Sequence, residues 1–146
     1  MKNIQNELLP LPHAIAMVNR MQAAKAKDKI TDFNLTFSQI PFLMKVIHYP
    51  TALTQDQLSK MLFIDPAATA RAIEQLEKKG LVTRNVNPDN RRQKLISATE
   101  KAHCMSAELR SALCAATQEI LEPLKPEEQT MLAQLLTKIC EYGIQG

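Results

Sequence analysis

Tryptophan is absent from the 146 residues, glycine occurs only three times, and aromatic side chains make up 4% of the chain. So little glycine and so few aromatics, set against frequent Ala, Leu, Met, Lys, Glu and Gln, weight the composition toward helix. No apolar run approaches the roughly 18 residues that a membrane span requires. The opening residues MKNIQNELLPLP lack the basic leader, long apolar run and small-residue cleavage site of a secretion signal. Together these absences predict a cytoplasmic address and no membrane partner. Cysteine is scarce and odd in number: Cys104, Cys114 and Cys140 all lie in the C-terminal third, as neither a disulfide framework nor paired zinc ligands. There is no glycine-rich phosphate loop, nucleophile elbow or metal-ligand cluster, so no enzyme, cofactor or metal is predicted.

What is present suits one domain of mainly α structure, with 45% apolar and 23% charged residues. Leu8, Leu11, Ile15, Val18 and Met21 recur at three-and-four spacing, which places them on one face of a helix over residues 8–29. Thr36-Phe37-Ser38-Gln39 and Thr54-Gln55-Asp56-Gln57 are both capping boxes, opening a second helix that ends near His48 and a short third through Leu62. Asp65-Pro66 starts a fourth helix, which Gly80 stops. Leu81 to Val86 and Arg91 to Ser97 flank the turn Asn87-Pro88-Asp89-Asn90 as a β-hairpin. From Thr99 to Tyr142 the chain is helical again, interrupted at Pro123 to Pro126, with Met105, Leu109 and Leu113 striping one piece and Met131, Leu135 and Ile139 the other. One subunit cannot easily bury all these apolar faces, which predicts a homodimer formed through the terminal helices.

Charge is concentrated in the middle. Between residues 60 and 94, eight bases (Lys60, Arg71, Lys78, Lys79, Arg84, Arg91, Arg92 and Lys94) face four acids (Asp65, Glu74, Glu77 and Asp89). The rest of the chain is close to neutral, so this helix-helix-hairpin segment has the charge of a phosphate-binding surface. Two short helices joined by Phe63-Ile64-Asp65 form a helix-turn-helix, whose second helix fits a major groove. A ribbon tipped by Arg91 and Arg92 fits the flanking minor groove, where guanidinium groups meet concentrated negative potential. Helix-turn-helix plus basic hairpin is a winged helix.

The stretches LTFSQ, LTQDQLSKML, DPAATARAIEQLEKKGLVTR and NRRQKLISATEK, spanning Leu35 to Lys101, resemble the MarR family of bacterial transcriptional regulators. The leading and trailing helices match that family's arrangement too. The resemblance implies a winged helix-turn-helix over 35–98 and a helical dimerisation region from 1–34 and 99–146. It also implies a homodimeric repressor or activator that binds double-stranded DNA at a pseudo-palindromic operator and is tuned by a small-molecule effector. Carried over by position, Gln55, Pro66, Ala67, Ala68, Thr69, Arg71, Arg84, Arg91, Arg92 and Lys94 are the DNA-binding candidates. Where the family often has serine or threonine this chain has Ala67, Ala68 and Ala70, which leaves base reading to Thr69, thymine methyl contacts and DNA shape. The family's wing acid is replaced by Asn90, with Asp89 as the substitute partner of Arg92. The competing reading is a winged-helix protein-interaction module without sequence-specific DNA binding, favoured only by those alanines.

The remaining features have plain readings. His103 and Cys104 are neighbours that point about 100° apart on a helix, so with His13 and His48 they form no metal site. Cys104 and Cys114 are about 15 Å apart along one helix, beyond disulfide reach, and the cysteines read as buried structural residues. Met17, Met21, Met44, Met61 and Met105 read as core rather than as the lining of an effector pocket, whose residues the sequence does not identify.

Overall fold

The computed structural model describes residues 8–145 and places them in six α-helices and one small sheet. Helix α1 spans Leu11–Ile30, with Pro10 as its N-cap and Pro12 in its first turn, where the missing amide hydrogen costs nothing. It lies along α5, Glu100–Leu121. Lys29 and Lys25 bridge the two helices to Glu119 at 3.1 and 3.7 Å, and Lys29 holds the Glu119 carboxyl below its usual pKa. Residues 1–7, part of the expected dimerisation region, lie outside the described residues.

Helix α2 covers Ile40–His48, four residues later than the Thr36 capping signal predicts. A 3₁₀ turn, Phe37–Gln39, fills the interval, and Pro41 explains the late start because proline fits only the first turn of an α-helix. The second capping box forms as expected: Gln57 N–H donates to Thr54 Oγ1 at 3.1 Å, and Thr54 N–H donates to Gln57 Oε1 at 2.9 Å. It opens α3, Gln55–Leu62. Helix α4 runs Pro66–Lys78 and ends at Gly80, whose φ of +73° is the left-handed conformation that glycine takes without strain.

The hairpin strands are β2, Val82–Asn87, and β3, Asn90–Ala98. A two-residue strand not predicted from the sequence, β1 at Leu53–Thr54, pairs with β3 through Leu53 opposite Ile96, giving an antiparallel sheet in the order β1-β3-β2. Two residues carry too little periodicity to be seen in a sequence; β1 exists because β3 offers it an edge.

The core lies between α2, α3, α4, the sheet and α5. Leu43, Leu58, Ile73, Leu76 and Leu109 are fully enclosed. Burial of each such side chain contributes about 1.5–3 kcal/mol, before the entropy of ordering is set against it. Met44, Met61 and Met105 pack against this core. Met17 and Met21 do not; they are exposed on α1, so core packing accounts for only part of the methionine set.

Outside the winged helix the apolar stripes remain open. Leu11, Ile15 and Val18 of α1 are about half exposed or more, as are Met131, Leu135, Leu136 and Ile139 of α6, Pro126–Gln145. The C-terminal turn of α6 touches the winged helix where Gly143 lies against the Phe63 ring, so close that an added Cβ would stand 3.2 Å from Phe63 Cζ. The three cysteines are exposed rather than buried. Cys104 and Cys114 each stand one residue off the Met105-Leu109-Leu113 stripe, so the helical period turns them to solvent.

Candidate nucleic-acid interface

The turn between α3 and α4 is held by short-range polar contacts. Asp65 caps α4, its Oδ1 accepting from Ala68 N–H at 2.8 Å. Phe63 adopts a left-handed backbone, φ 55° and ψ 42°, which turns the chain between the two helices. Ser59 donates its hydroxyl to Thr69 Oγ1 at 2.8 Å, and Thr69 donates in turn to the Asp65 carbonyl at 2.9 Å. Thr69 is 0% exposed.

This burial corrects the assignment of Thr69 to base reading. Its hydroxyl is committed inside the protein, where it fixes α4 against α3. The outward face of α4 carries Pro66, Ala67, Arg71, Glu74, Gln75 and Lys78, with Ala68 half-buried at its margin. Glu74 is paired with Lys78 at 3.3 Å, one turn on. Arg71 has no acidic partner among the described residues, and it lines a groove of about 340 Å³ with Ser38, Ala68 and Gln75. Spacing analysis does not single out Gln75; the available signal is that it stands four residues after Arg71, on the same helical face.

Arg84 is engaged within the protein. It is not an open cation: Nε donates to Glu77 Oε2 at 3.1 Å and Nη2 to Glu77 Oε1 at 2.8 Å. That fork holds the Glu77 carboxyl below its ordinary pKa, and the Glu77 carboxylate raises the Arg84 guanidinium in return. The pair stitches α4 to β2 and leaves Arg84 little charge to offer a phosphate.

The wing carries the open cations. Between the pairs Val86–Lys94 and Asn87–Asn90 the register shifts, so Arg91, Arg92 and Gln93 are extra residues on β3. A bulge of this kind bends the strand and re-aims its side chains. Arg91, Arg92 and Lys94 are exposed and form no ion pair among the described residues. Asp89 does not replace the missing wing acid, since no contact joins its carboxylate to Arg92. Instead Asn90 Oδ1 accepts from Arg92 N–H at 3.1 Å and Asn87 Oδ1 from Asp89 N–H at 3.0 Å, so asparagine side chains bonded to the backbone shape the tip. Gln55, at the start of α3, shares a cleft of about 390 Å³ with Arg84, Arg92 and Lys94. Recognition helix, α3 N-terminus and wing therefore present Arg71, Gln55, Arg91, Arg92 and Lys94 at the surface.

Among the described residues no group of three His, Cys, Asp or Glu side chains could hold a metal. His48 Nδ1 lies 2.8 Å from the Met44 carbonyl, and its Nε2 faces Arg110. No described helix is long and apolar enough to cross a membrane. Another cleft, about 480 Å³, opens between α1 and the Leu35–Phe37 turn, lined by Ala23, Ala24, Ile30 and Phe37 with Lys27 among them.

Known proteins match both the domain and the whole arrangement. Residues 35–94 match the MarR family model. The reduced form of MarR from E. coli is 28% identical, with a TM-score of 0.76 over 92% of this chain and 98% of that one. A MarR transcriptional regulator from Methanosarcina mazei Go1 is 24% identical and superimposes with a TM-score of 0.84 over 92% of this chain and 96% of that one. CouR from Rhodococcus jostii RHA1, solved bound to p-coumaroyl-CoA, shares the fold at 18% identity and a TM-score of 0.78, over 96% of each chain. With the MarR family model matched over residues 35–94 and a helical frame on either side, the chain has the winged helix-turn-helix fold of these MarR structures.

Proposed function

We propose that this protein is a cytoplasmic, homodimeric DNA-binding regulator, acting as a repressor at a pseudo-palindromic operator. The observation that carries the reading is the set Arg71, Arg91, Arg92 and Lys94: four exposed cations on the recognition helix and wing, none paired with an acid among the described residues. A protein-binding face has little use for that many uncompensated charges, which disfavours the interaction-module alternative. Phosphates neutralise them, and each contact releases counterions.

Dimerisation is supported by the open apolar stripes of α1 and α6, since contiguous exposed apolar surface marks an interaction site. The dimerisation region is proposed as residues 1–34 and 99–146, and the DNA-binding domain as 35–98. Each subunit sets α4 in a major groove and its wing in the adjacent minor groove, on half-sites about one helical turn apart. An effector that alters the angle between subunits alters the spacing of the two α4 helices and hence the affinity. CouR's bound p-coumaroyl-CoA supports a small-molecule effector here.

The test is a salt-dependent titration against the DNA flanking the protein's own coding region, beside scrambled DNA of equal length. Specific binding about a thousandfold tighter than to the scrambled duplex is expected. Equal affinity for both duplexes at every salt concentration would sink the proposal.

A further inference from the structure

Behind the outward face of α4 runs a chain of hydrogen bonds whose direction chemistry alone decides. Gln39, 2% exposed, receives two donors at one atom: Lys79 Nζ at 2.8 Å and the Thr36 backbone N–H at 3.2 Å. An ammonium and a peptide N–H can only donate, so that atom is the amide oxygen, Oε1. Gln39 Nε2 is then on the other side, and it lies 2.7 Å from Gln75. Because Nε2 can only donate, Gln75 must turn its own Oε1 inward to accept. Lys79 is itself anchored by donating to the Asn34 carbonyl at 2.6 Å. The outer end of this relay is the Gln75 NH₂, which has no hydrogen-bond partner among the described residues; Gln75 lines the same groove as Arg71.

We propose that Gln75 reads a base, and that Gln39, held by Lys79 and Thr36, is the positioning residue that makes it present a donor. This rests on the DNA-binding reading above and deepens it. A free glutamine amide is indifferent: either end can face a base edge, and adenine is its usual bidentate partner. Here the oxygen is engaged from behind and the NH₂ is offered outward. The matching major-groove feature is an acceptor: guanine O6 or N7, thymine O4 or adenine N7. Cytosine, which offers the N4 donor, meets NH₂ with NH₂ and is rejected.

The geometry makes an unusual demand: a buried substitution that never touches DNA should invert a base preference. In Gln39→Glu, Lys79 and the Thr36 N–H still bind one oxygen, and Lys79 compensates the new charge. The second oxygen now faces Gln75 where the NH₂ was. Two acceptors cannot meet, so the Gln75 amide turns over, donates inward, and points Oε1 at the groove.

The experiment is selection from a random double-stranded DNA library by the full-length wild type, Gln39→Glu and Gln75→Glu. Wild type is expected to exclude cytosine at one position of each half-site. Gln39→Glu admits cytosine there and rejects guanine and thymine, by roughly tenfold or more, and leaves the other positions unchanged. Gln75→Glu, on the exposed face where misfolding is not at issue, makes the same move by removing the donor outright. The same consensus from all three proteins overturns the relay while leaving DNA recognition intact. If Gln39→Glu fails to fold, an unchanged consensus from Gln75→Glu overturns it equally. A wild type that enriches no sequence overturns the regulator reading, and this inference with it.

Discussion

Arg84 and Glu77 form a two-pronged ion pair, with N–O distances of 3.1 and 2.8 Å, that joins the last turn of α4 to the first half of β2. Its consequence is a division of labour among arginines that look alike in the sequence. Arg84 maintains the angle between recognition helix and wing, while Arg91 and Arg92 face solvent.

Arg92→Ala should lower operator affinity by about 1–3 kcal/mol and make the salt dependence shallower by about one unit of slope, with the dimer intact. Arg84→Ala should instead leave the salt slope of the folded protein unchanged and produce a small, salt-sensitive loss of stability. Parallel binding titrations and urea melts of the two variants check the contrast; equal loss of salt slope in both would place Arg84 on DNA.

Thr69→Val keeps the shape of a buried side chain and removes its hydroxyl. Ser59 then loses the acceptor of its hydrogen bond, so a destabilisation of about 1–3 kcal/mol is expected in denaturant unfolding. Sequence preference of the folded variant should not change, because Thr69 has no exposed surface. A changed consensus would return Thr69 to the base-reading set.

Acid should weaken two of the inter-element links. Glu77 and Glu119 both have depressed pKa values in the folded chain, caused first by their hydrogen bonds to Arg84 and Lys29. A depressed carboxylate contributes stability that is present above its unfolded pKa, about 4.3, and is lost as pH falls through the lower folded value. Both carboxylates keep more than a third of their side-chain surface in water, so the contributions are small. Urea midpoints measured from pH 7 to pH 3 should fall less steeply for the double variant Glu77→Gln with Glu119→Gln than for wild type.

Ile139→Glu places a charge in the open stripe of α6 and should convert the dimer to monomer without unfolding the winged helix. Sedimentation velocity reads the mass and circular dichroism the fold. Removing everything from Pro123 onward should give monomeric or aggregated protein; a cooperative, soluble dimer from that truncation would move the interface elsewhere.

Local chemistry made much of this chain legible. The Thr54–Gln57 capping box, Pro66 after Asp65, Gly80 and the Asn-Pro-Asp-Asn turn are short-range devices, and each marks an element boundary within a residue or two. The alternation of cations along residues 60–94 likewise locates the basic face without any coordinates, because charge is a property of composition.

Tertiary structure alone decided which side chains that face retains. Thr69 lies on the Ala72-Ile73-Leu76 stripe of α4 and Arg71 about 200° round the helix from it, so the helical period separates them; only the docking of α3 commits the Thr69 hydroxyl to Ser59. Glu77 removes Arg84 from the open cations because α4 turns sharply at Gly80 into β2. The Lys79–Gln39–Gln75 relay joins residues up to forty apart in sequence, and strand β1 depends wholly on a partner edge. Capping and charge are set by near neighbours along the chain, whereas burial and hydrogen-bond direction are set by whichever elements the core brings together.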